Sequence, residues 1–232
     1  QSREIHLLAV IGIVYGALVA LVQKDFKFVI GYSSVSHMGF VMLGLMTLTQ
    51  IGLSGAVLQM FSHGILAGLL FAVVGRMVYD RTHTRELSDL QQMDLAKLFP
   101  FAAVIFTIAS VASMGMPGFS GFVAELQVLV GAWQAFPTLA VVSGLGLLLG
   151  VAYMMRALQK VFFADRDQAP VVVHSAGNGH LDLQPISIPE RLGAVLLVGV
   201  SIVIGLYQRL LLDWIIPSFN SGLFDGLRKG GP

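Results

Sequence analysis

Six stretches of this 232-residue chain are apolar for about the length of a lipid bilayer, and that feature constrains the fold more than any other. A crossing helix needs about 20 apolar residues, and backbone groups inside hydrocarbon must bond to one another, which selects helices over open strands. The runs are Leu7–Gln23, Phe28–Thr49, Leu53–Val78, a longer region Leu98–Trp133, Thr138–Phe162 and Leu192–Leu212. The long one is interrupted by Met116-Pro117-Gly118-Phe119-Ser120-Gly121, so it holds either two helices or one broken helix. With 56% hydrophobic and 12% charged residues and a mean hydropathy of +0.80, the composition excludes an ordinary soluble domain. The expected fold is an all-α, polytopic transmembrane bundle of about six spans, one of them discontinuous near Pro117–Gly121.

Several function classes fall away on composition. There is no cysteine, which removes disulfides, thiolate metal sites, iron–sulfur ligation and thiol nucleophiles. A net charge of +1 gives no basic excess to hold a nucleic acid. The sequence has no GxSxG elbow, no Walker A loop and no GxGxxG turn, so neither hydrolysis nor nucleotide binding is expected. His83, His174 and His180 lack metal-ligand spacing. The chain begins at Gln1, and its first apolar run lacks a signal-peptide cleavage pattern, so it is expected to be a piece of something longer.

Cationic residues arbitrate the interrupted region. If Leu98–Trp133 crosses once, ten Lys and Arg residues from Lys24 to Arg191 share one side, against Arg3, Arg209, Arg228 and Lys229 on the other. A double crossing would reduce the asymmetry to nine against five. The positive-inside rule therefore favours one discontinuous crossing, with both termini outside and the loops around Arg81 and Arg166 in the cytoplasm.

Ionisable groups within the spans are the leading functional candidates, because each costs several kcal/mol or more unless it faces a partner or a water path. Between Lys27 and Arg76 the candidates are His37 and His63, and between Lys97 and Arg156 the only charge is Glu125. Glu125 follows Pro117, Gly118 and Gly121, where a broken helix would free backbone groups, the setting in which many transporters place ion sites. Its plainer reading is a protonated, hydrogen-bonded packing residue. His63 has Gln59 one turn before it, and an imidazole can accept and donate a proton, although a buried histidine can also simply be satisfied by a neighbour. His37 has Ser33, Ser34 and Ser36 within one turn, hydroxyls that could bridge protons or only pack. Asp25 and Lys27 open the second span, where a local ion pair or snorkelling competes with a proton role for Lys27. Arg156 and Lys160 read as interfacial anchors.

Four consecutive blocks carry a family resemblance: QKDFKFVIGYSSVSHMGFVMLG, GAVLQMFSHGILAGLLF, YDRTHTREL and ASMGMPGFSGFVAEL. Together they resemble the antiporter-like membrane subunits of respiratory complex I, NADH:quinone oxidoreductase, and within them subunit M, also called chain 4. Ala67, where the subunit L branch has a lysine, and Glu125, where subunits L and N have one, both point to that branch. The chain departs from the family pattern at Phe28, often an arginine, and at Gln91 and Gln92, usually a glycine pair.

The resemblance implies inverted five-helix repeats, of which this chain would supply the second over about 5–163, then a cytoplasmic loop over about 164–190 and a final helix and tail over 191–232. It implies a proton-translocating membrane-arm subunit, with His63 as central relay, Glu125 as the site on the broken helix and His37 in support. NADH, flavin, iron–sulfur clusters and quinone would sit in partner subunits, with no cofactor in this chain. Its partners would be other membrane-arm subunits and lipid, in a bacterial plasma membrane or, alternatively, a thylakoid or inner mitochondrial one. The rival expectations are a subunit of a multisubunit sodium/proton antiporter or of a membrane-bound hydrogenase, and a chain that assembles without conducting.

Overall fold

The computed structural model describes residues 2–163 and 184–219, with side chains from Glu4 onward. Arg166, His174, His180, Arg228 and Lys229 of the expected loop and tail lie outside the described residues. Helix α1 (Ser2–Val22) runs into α2 (Phe26–Met46) and α3 (Gln50–Ala72), and short helices α4 (Asp80–Thr82), α5 (Leu87–Gln92) and α6 (Leu95–Leu98) follow. Then come α7 (Pro100–Ser113), α8 (Ser120–Ala135), α9 (Pro137–Phe162), α10 (Ile188–Leu206) and α11 (Arg209–Phe219). Among the described residues, five helices are long and apolar enough to cross a membrane. At 14 and 16 residues, α7 and α8 are each too short to do so alone, and they form the expected discontinuous pair.

Local chemistry fixes the helix ends. Asp25 caps α2 by accepting from the backbone N–H of Lys27 at 2.8 Å and of Phe28 at 3.3 Å, so the helix starts two residues before the apolar run does. Thr49 caps α3 through Gly52 at 3.1 Å. That helix continues past Ala72 as a π-helical turn, Val73–Tyr79, and ends near Thr82, beyond the expected Val78. Pro100 and Pro137 stand in the first turns of α7 and α9, where a missing N–H costs nothing. The last span differs from expectation: Glu190 accepts from the Ser187 N–H at 2.9 Å and starts α10 at Ile188, before Leu192. It ends at Leu206, because Tyr207 leaves helical geometry at φ −124°, and the remaining apolar run forms the separate α11.

The polar stretch between α3 and α7 is not an open loop. Leu87, Leu90 and Leu95 are buried in the larger core beside Phe26, Met77 and Phe162. It is stitched to the α1–α2 turn by Phe26 N–H to Arg85 O and Leu87 N–H to Lys24 O, each 2.8 Å. Asp25 pairs with Arg85 at 3.4 Å rather than with Lys27, as the local spacing suggested. Arg156 does more than anchor at an interface: it donates to the Leu21 and Gln23 carbonyls, the frayed C-terminal acceptors of α1.

Helix contacts rely on close backbone approach. Gly16 lies against the Ser36 backbone, Gly39 against Ile13, and Gly52 of α3 against Gly131 of α8. In hydrocarbon, where no hydrophobic force draws helices together, such close packing is a main source of association energy. A second, smaller core gathers Ile13, Phe40, Leu43 and Val128. Helix α2 serves both cores, with Ile30 in one and Phe40 in the other, and His37 lies between them.

Candidate functional site

The helix break is built from two left-handed glycines. Gly115 has φ +78° and Gly118 φ +103°, conformations that L side chains adopt only with strain. Pro117 lies between them and can donate no backbone hydrogen bond. Gly121, expected within the break, is instead in the first turn of α8, where it packs close to the Ala112 carbonyl and Ser62. Gly115 was not among the sequence candidates; only its place beside the MPG turn hinted at it.

Glu125 lies in the second turn of α8 and is 4% exposed. A Cβ on Gly115 would come within 2.9 Å of its Oε2, so the break itself walls one side of the carboxyl. On the other side its Oε1 stands 3.2 Å from Nδ1 of His37, a contact between side chains only 5% and 7% exposed. The same Nδ1 lies 3.3 Å from Nε2 of Gln59 on α3, and Nε2 of His37 lies 3.4 Å from Ser113 Oγ at the end of α7. His63 packs its ring against His37 with centroids 5.1 Å apart and planes tilted by 35°. A small cavity of about 10 Å³ touches His37, Gln59, Ser62, His63, Ser113 and Glu125, close to the least volume that holds one water.

The structure thus brings three of the four sequence candidates together and rearranges their order. His37, expected as a supporting group, is the imidazole that meets Glu125, and His63 stands behind it. Gln59 belongs to His37 rather than to His63, because residues one turn apart on a helix share a face without aiming at each other. The serines beside His37 do not serve it: Ser33 and Ser34 donate to the Ile30 carbonyl, and Ser36 to the Ile13 carbonyl. Its hydroxyl comes from Ser113, across the bundle. Lys27 stays apart, about 15 Å along α2 at 1.5 Å per residue. It borders an apolar pocket with Phe71, Val74, Tyr79 and Arg85.

This arrangement suits proton exchange. Nδ1 of His37 faces one obligate donor, the Gln59 amide nitrogen, and one group that accepts as carboxylate and donates as acid. A protonated His37 donates to the Glu125 carboxylate; a neutral His37 with its proton on Nε2 accepts from Gln59 or from the protonated acid. Oε1 of Gln59 is buried without a hydrogen-bond partner among the described residues, so exchanging the two amide atoms would present an acceptor when Nδ1 is protonated.

Comparison with known proteins gives these residues a setting. The family described as NADH:quinone oxidoreductase/Mrp antiporter, TM, matches residues 2–162. The NADH-quinone oxidoreductase subunit M of Rickettsia prowazekii (strain Madrid E) is 42% identical over 158 residues, 68% of this chain and 32% of the relative. Among solved structures, respiratory complex I from Thermus thermophilus with bound NADH aligns with a TM-score of 0.80 at 30% identity, covering 93% of this chain and 43% of that one. A chain of the Mrp complex from Dietzia sp. DQ12-45-1b shares the fold, with a TM-score of 0.79 at 23% identity and coverage of 93% and 46%. The chain spans about a third of that Rickettsia relative's length.

Proposed function

The chain belongs to the NADH:quinone oxidoreductase/Mrp antiporter family of integral membrane proteins, and on that premise we propose that it is part of a proton-translocating subunit in the membrane arm of NADH:quinone oxidoreductase. The observation that carries this reading is the 3.2 Å contact between Glu125 and His37, buried beside a broken helix. A carboxyl placed for packing alone has no need of an imidazole whose second nitrogen continues to a hydroxyl.

In this reading a proton arrives at His63, which is only half-buried, and passes to His37 through the small cavity, since the two rings touch without hydrogen bonding. His37 then gives its Nδ1 proton to Glu125, and Gln59 takes over as donor to the emptied nitrogen. Glu125 releases the proton toward the outer side. Quinone reduction elsewhere would drive the cycle electrostatically. Moving one charge across 100 mV costs about 2.3 kcal/mol. That equals a change of roughly two pKa units at 1.36 kcal/mol each, which a small rearrangement of buried charges can supply.

Lys27 is assigned a secondary place, as a cation at the membrane edge of α2 rather than a member of the relay. NADH, flavin, iron–sulfur clusters and quinone are assigned to partner subunits, consistent with a chain that has no cysteine to hold a cluster. A role as a sodium/proton antiporter subunit is the alternative, favoured by the fold shared with the Mrp complex. Replacing Glu125 by Gln in the full complex and measuring proton uptake per NADH in vesicles tests the proposal. Loss of uptake with NADH oxidation still detectable is expected; pumping at the wild-type ratio would remove Glu125 from the mechanism. Sodium-dependent pH recovery without NADH oxidation would favour the antiporter reading.

A further inference from the structure

Three serines from three helices form a continuous hydroxyl chain through the bundle. Ser62 Oγ of α3 lies 2.7 Å from Ser120 Oγ, the first residue of α8, and Ser120 Oγ lies 3.1 Å from Ser201 Oγ of α10. All three are at most 1% exposed. One turn beyond Ser201, on the same face of α10, Gly205 lies directly on the break: a Cβ there would fall into the Gly118 carbonyl and the Phe119 backbone. Between them Ile204 shares a small buried core with Leu58 and with Ala124, the residue before Glu125. Helix α10 therefore grips the broken helix at its turn, at its first hydroxyl and beside its acid. Ser201, Ile204 and Gly205 lie beyond residues 2–162, the part matched by the family, while the residues they hold lie within it.

We infer that Ser201 and Gly205 form a clamp that fixes the start of α8 against α3, and so sets the distance between Glu125 and His37. The physical argument is one of missing restraint. The break between Ser113 and Ser120 contains two glycines in left-handed conformation; Gly115 and Met116 bond back to the Ala112 and Val111 carbonyls of α7 at 3.3 Å each, and the bond given within the break, Phe119 N–H to the Met116 carbonyl, is also 3.3 Å long. A turn so weakly bonded to itself is held by what packs against it. Ser120 has one hydroxyl proton and two acceptor lone pairs, enough to bond both hydroxyl neighbours at once. The two bonds tie α8 to α3 and α10 at once. Ser62 also borders the His37–Glu125 cavity, so a shift of α10 reaches the relay through one side chain. Ser201 and Gly205 are positioning residues, and neither exchanges the translocated proton.

The functional half of this inference rests on the proton-relay reading, and the experiment separates the two. Hydrogen–deuterium exchange over 114–121 and proton uptake per NADH are measured on the assembled complex carrying Ser201→Ala, Ser201→Thr, Gly205→Ala, Val203→Ala or Glu125→Gln. Ser201→Ala is expected to raise exchange across the break about fivefold, the equivalent of one net hydrogen bond of about 1 kcal/mol, and to lower uptake. Ser201→Thr keeps the hydroxyl and restores both. Val203→Ala, on the exposed face of α10, changes neither. Gly205→Ala displaces the break and lowers uptake further; should it prevent assembly, Ser201→Ala still decides. Wild-type exchange and uptake in Ser201→Ala would overturn the clamp. Raised exchange in Ser201→Ala together with normal pumping in Glu125→Gln would leave the clamp standing and overturn the relay.

Discussion

The Glu125 carboxyl stops 3.2 Å from Nδ1 of His37, with His63 held one ring further back by its contact with His37. The two histidines are therefore not equivalent. One touches the acid, and the other meets the first histidine and borders the cavity.

Replacing His37 by Ala is expected to abolish pumping as completely as Glu125→Gln does, because it removes the imidazole whose Nδ1 meets the acid. Lys27→Ala, about 15 Å away along α2, is expected to keep most of it. Proton uptake per NADH oxidised, measured on vesicles containing each variant complex, checks the ranking. Equal losses in His37→Ala and Lys27→Ala would contradict it.

Gln59→Leu conserves bulk and removes the amide that faces Nδ1 of His37. The neutral imidazole then loses one hydrogen bond worth about 1 kcal/mol, and the rate of proton uptake is expected to fall roughly fivefold with assembly retained. Gln59→Asn, too short to reach, should behave like leucine, which distinguishes a hydrogen-bonding role from a packing one.

Gly118→Ala places a side chain at φ +103° and is expected to destabilise the subunit by about 1–3 kcal/mol. Gly115→Ala adds to its own strain a Cβ 2.9 Å from Glu125 Oε2, so it should reduce pumping more than its effect on stability explains. Thermal unfolding of the purified complex, set beside its proton uptake, reads both quantities.

On the side of the bundle that carries α4, Arg81 bonds the Gln184 carbonyl at 2.8 Å, the Pro185 carbonyl at 3.1 Å and Glu190 at 2.9 Å, with a side chain only 9% exposed. It joins the α3 extension to the start of α10. Arg81→Ala is expected to cost about 2–3 kcal/mol, since a partly buried carboxylate loses its nearest cation. The loss would be seen as a lower unfolding temperature, and Arg81→Lys, unable to serve three acceptors in one plane, should restore little of it.

Much of this molecule was legible from residue order. Apolar run length gave the spans; Pro117 and Gly118 gave the discontinuity; charge distribution favoured a single crossing over two. Those features are local, and lipid enforces them helix by helix, because each segment must satisfy its own backbone wherever its neighbours lie. Glu125, His37 and His63 stood out for the same reason: an ionisable group in hydrocarbon is costly whatever its partner.

The pairing itself was decided only by the fold. Which imidazole meets the acid, whether Gln59 serves His63 or His37, and that Ser113 rather than Ser33, Ser34 or Ser36 supplies the hydroxyl all depend on helix rotation about its axis. Rotation is set by close contacts such as Gly52 on Gly131 and Gly205 on the break, between residues far apart in the chain. Periodicity along one helix says which residues share a face, and only packing between helices says what that face looks at.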